Sequence, residues 1–175
     1  MEEIRVLISE EDIKKKVEQI GKEISERYEG EGVHLICVLK GGAYFAIELS
    51  KYITIPVSID FMAVSSYGDG TKTSGNVKII KDLDEPIVGK NVVVVEDIVD
   101  SGRTLCYLRE MLESKGPKSL IVTTLLDKPD RREVEVEVEY TGFQIPDEFV
   151  VGYGLDYAQK YRNLRYVGVV MIGDK

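Results

Sequence analysis

The stretch Val92-Val93-Val94-Val95-Glu96-Asp97-Ile98-Val99-Asp100-Ser101-Gly102-Arg103-Thr104-Leu105 runs four valines into two adjacent acids, a third acid and a small-residue turn. Four consecutive valines read as a strand buried on both faces, the pattern of a parallel sheet. Carboxylates at the end of such a strand are costly to desolvate unless something uses their charge. In open parallel sheets ligands bind beyond the carboxyl ends of the strands, where Glu96 and Asp97 fall. The turn after them leads into a predicted helix over 103–115. Successive backbone N–H groups at such a turn form an anion nest that fits a phosphate. Acids for vicinal hydroxyls beside a phosphate nest suit a ribose phosphate. Neither G-x-x-x-x-G-K-[ST] nor G-x-G-x-x-G is present, so the segment is not a P-loop or a dinucleotide fingerprint. Taken as a bare D-x-x-D-S-G, it reads more readily as an acidic strand end with an ordinary helix cap.

Working outward, residues 10–28 read as an amphipathic helix, with Ile13, Val17, Ile20, Ile24 and Tyr28 at three- and four-residue steps. Ser9 is placed to cap it, and acids fill its first turn. Strands are expected over 33–39, 57–66, 76–84, 91–98 and 119–128, with a further helix over 43–52. REVEVEVEYTGF (132–143) alternates strictly and predicts a strand whose glutamates form a wet face. Segments 148–155 and 165–172 close the chain as strands. The polar, glycine-rich YGDGTKTSGN (67–76) is long for a hairpin turn, and such loops often serve as lids. Strands alternating with helices predict an α/β fold with a central parallel sheet flanked by helices.

At 175 residues the chain suits one domain with one core, 1–175. No apolar run approaches a bilayer span, and MEEIRVLISEED lacks a signal-peptide layout, so a cytoplasmic location is expected. Cys37 and Cys106 are far apart and read as plain core residues. With one histidine, His34, and no cysteine cluster, a transition-metal site is not expected, whereas the many acids leave Mg²⁺ open. A net charge of -8 opposes general nucleic-acid binding but not a small phosphorylated ligand.

VVVVEDIVDSGRT resembles the signature of type I phosphoribosyltransferases, the segment that binds phosphoribosyl pyrophosphate (PRPP). LKGG (39–42), SSYGDGTKTSG (65–75), LLDKP (125–129) and PDEFVVGYGLDYAQKYRNL (146–164) extend the resemblance to bacterial hypoxanthine-guanine phosphoribosyltransferases over almost the whole chain. The resemblance implies a central twisted parallel sheet with a small hood built from N- and C-terminal segments. It implies transfer of a phosphoribosyl group from PRPP to hypoxanthine or guanine, with Mg²⁺, in a homo-oligomer (dimer or tetramer).

It also implies roles. Glu96 and Asp97 hold the ribose hydroxyls, directly or through Mg²⁺, and Asp100 stands near purine N7 as general base or acid. Ser101, Gly102, Arg103 and Thr104 hold the 5′-phosphate, Arg103 through its backbone. Lys40 and Gly41 match a pyrophosphate-binding turn that carries a non-proline cis peptide in the family, and Arg162 reaches the same pyrophosphate. Ser66 and Tyr67 form the lid tip. Lys128 donates to the purine 6-oxo group, Phe149 stacks on the base, and Val150 contacts it through the main chain. Asp156 lies at the purine and contributes to a second Mg²⁺. Adenine carries an amino donor where a cationic lysine needs an acceptor, so it should be a poor substrate. A transferase preferring xanthine, which shares the fold and the PRPP site, is one alternative. A phosphoribosyltransferase-like RNA-binding regulator is the further alternative, opposed by a sequence pI near 4.9.

Overall fold

The described residues, 2–66 and 77–171 of this computed structural model, run from β1 (Glu3–Ile8) and α1 (Glu10–Arg27) to β2 (Val33–Leu39), α2 (Ala43–Lys51), β3 (Val57–Ser66) and β4 (Val77–Lys81). They continue as β5 (Asn91–Val99), α3 (Arg103–Glu113), β6 (Ser119–Asp127), a 3-10 turn (Pro129–Arg131), β7 (Tyr140–Gln144), β8 (Val150–Val151) and β9 (Val167–Met171). Ser66 closes β3; its side chain, and all of Tyr67, lie outside the described residues, as does the proposed lid segment 67–76.

The valine run lies inside a six-stranded sheet of order β4-β3-β2-β5-β6-β7. Every neighbouring pair is parallel except β3 and β4. Successive side chains leave opposite faces of a strand, and the valines show it. Val93 and Val95 pack with Leu35 and Cys37 against Ile13, Val17, Ile20 and Ile24 of α1 and Phe45 and Leu49 of α2. Val92 and Val94 pack with Ile36 and Val38 against Leu105, Leu108 and Leu112 of α3. All four valines are fully buried, and each such side chain is worth about 1.5–3 kcal/mol of transfer free energy. Helices on both faces explain why β5 has no polar residue between Asn91 and Glu96.

Helix α1 starts as the sequence predicts. The Ser9 hydroxyl accepts the Asp12 N–H at 3.1 Å, and Glu10, Glu11 and Asp12 occupy the first turn. A second, three-stranded sheet of order β1-β9-β8 joins the N-terminal strand to two C-terminal ones, all antiparallel, and forms the expected hood. Both cysteines are free thiols, Cys37 buried and Cys106 half-buried. His34 is buried, with Nδ1 2.7 Å from the Ser58 hydroxyl, a structural position. Among the described residues no helix is long and apolar enough to cross a membrane.

Two expectations fail, for physical reasons. The alternating run 132–143 is a strand only from Tyr140. Its glutamates are not all solvated: Arg109 of α3 grips the Glu139 carboxylate at 2.9 and 3.1 Å and also bonds the Glu137 carbonyl at 3.0 Å. Glu139 in turn accepts the Val122 N–H at 2.6 Å, so a side chain takes a place that a backbone carbonyl would hold in a sheet ladder. Likewise 148–155 is a strand only at Val150–Val151. Positive φ angles at Gly152, Tyr153 and Gly154 turn the chain away immediately afterwards.

Candidate active site

The site lies at the carboxyl ends of β5 and β6. The acids that close the valine run are desolvated by the same packing that buries the valines. The pleat sends them to opposite faces, and the Asp97 carboxylate lies against Gly41, where even a Cβ would collide with it. Burial, reinforced by the Asp97 charge, pushes the Glu96 carboxyl well above its ordinary range. Burial also raises Asp97 to about 6, against the opposing pull of the Ile98 N–H and the Arg162 charge. Two carboxylates held in this state favour a cation or hydroxyl donors beside them.

Beyond Asp97 the chain turns at the exposed Asp100 into Ser101 and Gly102. Gly102 caps α3 with φ 84°, the left-handed region that glycine enters without penalty. A Cβ there would meet the Val134 carbonyl at 2.5 Å. Gly102 has no side chain with which to cap α3, and the Ser101 hydroxyl accepts the Arg103 N–H at 3.3 Å; the other N–H groups of the first turn are the orphan donors that suit an anion. The Arg103 side chain bonds Glu133 at 2.5 Å, leaving its backbone for the turn.

The loop after β6 is tied to this turn. Lys128 donates its N–H to the Val99 carbonyl at 3.0 Å, while Glu133 and Val134 donate theirs to the Ser101 carbonyl at 2.9 and 3.0 Å. The Lys128 side chain is buried to 10% exposure, its ammonium 3.9 Å from Asp147. Phe149 is half exposed and meets Tyr157 edge-on, ring centroids 5.6 Å apart. Val150 is buried in β8.

A third group gathers at the turn after β2. The Leu39–Lys40 peptide is cis. Lys40 Nζ donates to the Gln159 side-chain oxygen at 3.4 Å, and Arg162 reaches the same oxygen at 3.3 Å. Arg162 also pairs with Asp156 at 3.1 Å and donates to the Gly154 carbonyl at 2.7 Å. A Cβ on Gly154 would collide with the Gly41 carbonyl, so the two loops touch through glycine backbones. Tyr153, Ala158, Gln159 and Tyr161 all hold positive φ, a concentration of strained backbone of the kind found at ligand sites.

The structure therefore brings Lys40, Gly41, Asp97, Asp156 and Arg162 into one cluster, and Asp100, Ser101, Gly102 and Lys128 into a neighbouring one. Among the described residues no three metal-capable side chains converge. Mg²⁺ commonly takes one or two carboxylates and completes its shell with water and phosphate, and the raised Asp97 carboxyl beside Gly41 suits one place in such a partial shell. Sequence reasoning missed Gln159, which joins the two cations, and Tyr157, which braces Phe149. Both stand inside the DYAQKYR stretch, but nothing in their residue types advertises either contact.

The phosphoribosyl transferase domain family matches residues 8–158. A hypoxanthine phosphoribosyltransferase of Salmonella typhimurium is 52% identical over 174 residues, covering 98% of each chain. A hypoxanthine-guanine phosphoribosyltransferase of Streptococcus thermophilus is 49% identical over 166 residues, 95% of this chain and 92% of that one. The crystal structure of a Bacillus anthracis hypoxanthine-guanine phosphoribosyltransferase with HEPES in its active site superposes with a TM-score of 0.93 at 52% identity. It covers 97% of this chain and all of that one.

Proposed function

Because the chain belongs to the phosphoribosyltransferase family, we propose that it is a purine-salvage enzyme, one domain over 1–175, that joins hypoxanthine or guanine to PRPP. N9 of the base attacks C1′ as pyrophosphate leaves, giving IMP or GMP. The observation that carries this reading is the shared rim of β5 and β6. Buried acids, a glycine-capped phosphate turn and a buried lysine are there tied together by backbone bonds.

In this reading the N–H groups of Ser101 to Thr104 hold the 5′-phosphate, and Glu96 and Asp97 hold the ribose hydroxyls. Lys40, Gly41 and Arg162 hold the pyrophosphate. Lys128 donates to the 6-oxo group, Asp100 holds a proton at N7, Phe149 stacks on the base, and Val150 meets it through its main chain. Ser66 and Tyr67 are assigned to the closing loop on their motif. Glu96 and Asp97 would serve a Mg²⁺ at the ribose and Asp156 a second one, and when bound these ions would neutralise charge developing on pyrophosphate. Arg162 already offsets Asp156, so the cluster passes a cation between acid and ligand without a large basic surface. The exposed Tyr44 and Ile47 on α2 fit a homo-oligomer, dimer or tetramer, whose mass light scattering would give.

A panel of hypoxanthine, guanine, xanthine and adenine with PRPP and Mg²⁺, with product identification, tests the assignment. Hypoxanthine and guanine should turn over and adenine should not. Comparable adenine turnover would refute the role of Lys128, and faster xanthine turnover would move the assignment to a xanthine enzyme.

A further inference from the structure

We infer that Arg132 is the positioning residue that fixes the distance between the two groups reading the purine's six-membered and five-membered edges, Lys128 and Asp100. The inference rests on the transferase reading above. Arg132 stands directly after the 3-10 turn Pro129–Arg131, and its side chain is only 17% exposed. One guanidinium nitrogen, Nε, donates to the Asp100 carbonyl at 3.2 Å. Another, Nη2, binds the carboxylate of Asp127, itself 14% exposed. Asp100 follows the last residue of β5, and Asp127 is the last residue of β6, immediately before Lys128. A rigid planar fork therefore spans the carboxyl ends of two neighbouring strands. Its aliphatic stem lies over Gly102, whose Cβ would stand 3.0 Å from the Arg132 Cδ.

The geometry gives Arg132 a task that the backbone bonds do not. The bonds from Glu133 and Val134 to the Ser101 carbonyl and from Lys128 to the Val99 carbonyl fix the phosphate turn and the start of the base loop. None of them holds the Asp100 peptide, which is the peptide that aims the Asp100 side chain. N7 and the 6-oxo oxygen are adjacent acceptors on one rigid ring system, so reading both requires two protein groups at a set spacing. A guanidinium bonded to both strand ends sets it. Lysine, a point charge on a flexible stem, cannot hold both contacts at once. Misplacement of a reacting group by about 1 Å costs up to roughly 100-fold in rate.

The experiment compares wild type with Arg132→Gln, Arg132→Lys and Asp127→Asn, each checked for folding by circular dichroism. It reads kcat/KM for hypoxanthine, the Kd of PRPP with Mg²⁺ by calorimetry, and the Ki of 7-deazahypoxanthine, which lacks the N7 that Asp100 faces. Arg132→Gln should lower kcat/KM roughly 10–100-fold and change the PRPP Kd by less than about twofold. It should raise the Ki of the 7-deaza base by a smaller factor than it lowers kcat/KM. Arg132→Lys should rescue only part, and Asp127→Asn should move the same quantities in the same direction. If Arg132→Gln does not fold, Asp127→Asn carries the test. An active wild type with an unaffected variant overturns the inference, as does a PRPP affinity that falls in step with base turnover or an equal shift for both bases. An inactive wild type overturns the transferase reading instead.

Discussion

Replacing Asp97 by asparagine should make the ligand-free protein more stable while removing its activity. Burial raises the Asp97 carboxyl from an ordinary 3.8 to about 6, which corresponds to on the order of 3 kcal/mol. The sign follows from which form the fold prefers. Below pH 3.8 the group is neutral in both states and contributes no penalty. Between 3.8 and about 6 the unfolded chain ionises first, so stability is lost as pH rises. Above about 6 the full penalty is present. Asparagine is neutral at every pH, and its carbonyl can still accept the Ile98 N–H, now bonded to Asp97 at 2.7 Å. Urea denaturation in EDTA should therefore find the variant more stable by about 3 kcal/mol at pH 7.5, roughly 6–12 °C in Tm for a chain of this size. The advantage should vanish below about pH 4. PRPP with Mg²⁺ should reverse the order, because the ligands stabilise only the protein that binds them. A variant less stable than wild type at pH 7.5, or an advantage independent of pH, would refute the argument that desolvation of this carboxylate strains the empty site.

Asp100→Asn should lower kcat by about 100-fold or more while changing PRPP affinity little, since only the proton acceptor is lost; steady-state kinetics with calorimetry checks it. Gly102→Ala should destabilise the protein by roughly 1–3 kcal/mol and weaken PRPP binding, because φ 84° and the nearby Val134 carbonyl leave no place for a Cβ. Glu139→Ala should cost about 1–3 kcal/mol, because the Val122 N–H loses its carboxylate acceptor while Arg109 keeps Glu113, yet leave KM values unchanged; urea curves and kinetics separate the two effects. Burial pushes the Cys37 thiol up to about 12 from 9, so only the unfolded chain ionises just above pH 9. Stability should then fall by about 1.4 kcal/mol per pH unit beyond 9, and Cys37→Ser should abolish that slope.

What could be read from the sequence was whatever rests on local chemistry. The valine run, the Ser9 cap and the heptad-like spacing of α1 each follow from periodicity or from one side chain bonding its own backbone, so β5 and α1 appear within a residue or two of expectation. Elements decided by distant partners could not be read. The run 132–139 alternates like a strand, but Arg109 from another element captures Glu139 and leaves the segment outside the sheet. Tyr153, Ala158, Gln159 and Tyr161 carry no sequence signal for positive φ, because the tertiary fold holds them there. The same limit separates the site residues. Those held at a strand end or helix start stood out by position, whereas Arg132, Gln159 and Tyr157 act by spanning loops distant in sequence.

The destabilised acids also explain how a chain of net charge -8 serves a polyanionic substrate. Glu96 and Asp97 are held where the fold disfavours their ionised forms. Lys40 and Arg162, meanwhile, share a neutral oxygen on Gln159 beside Asp156. Neither cation is committed to the buried pair. A ligand that brings its own hydroxyls and cation relieves the acids, and its phosphates compete with Gln159 for the two basic groups and with Asp156 for Arg162. On the proposed reading, desolvation paid during folding becomes affinity for ligand and Mg²⁺ together.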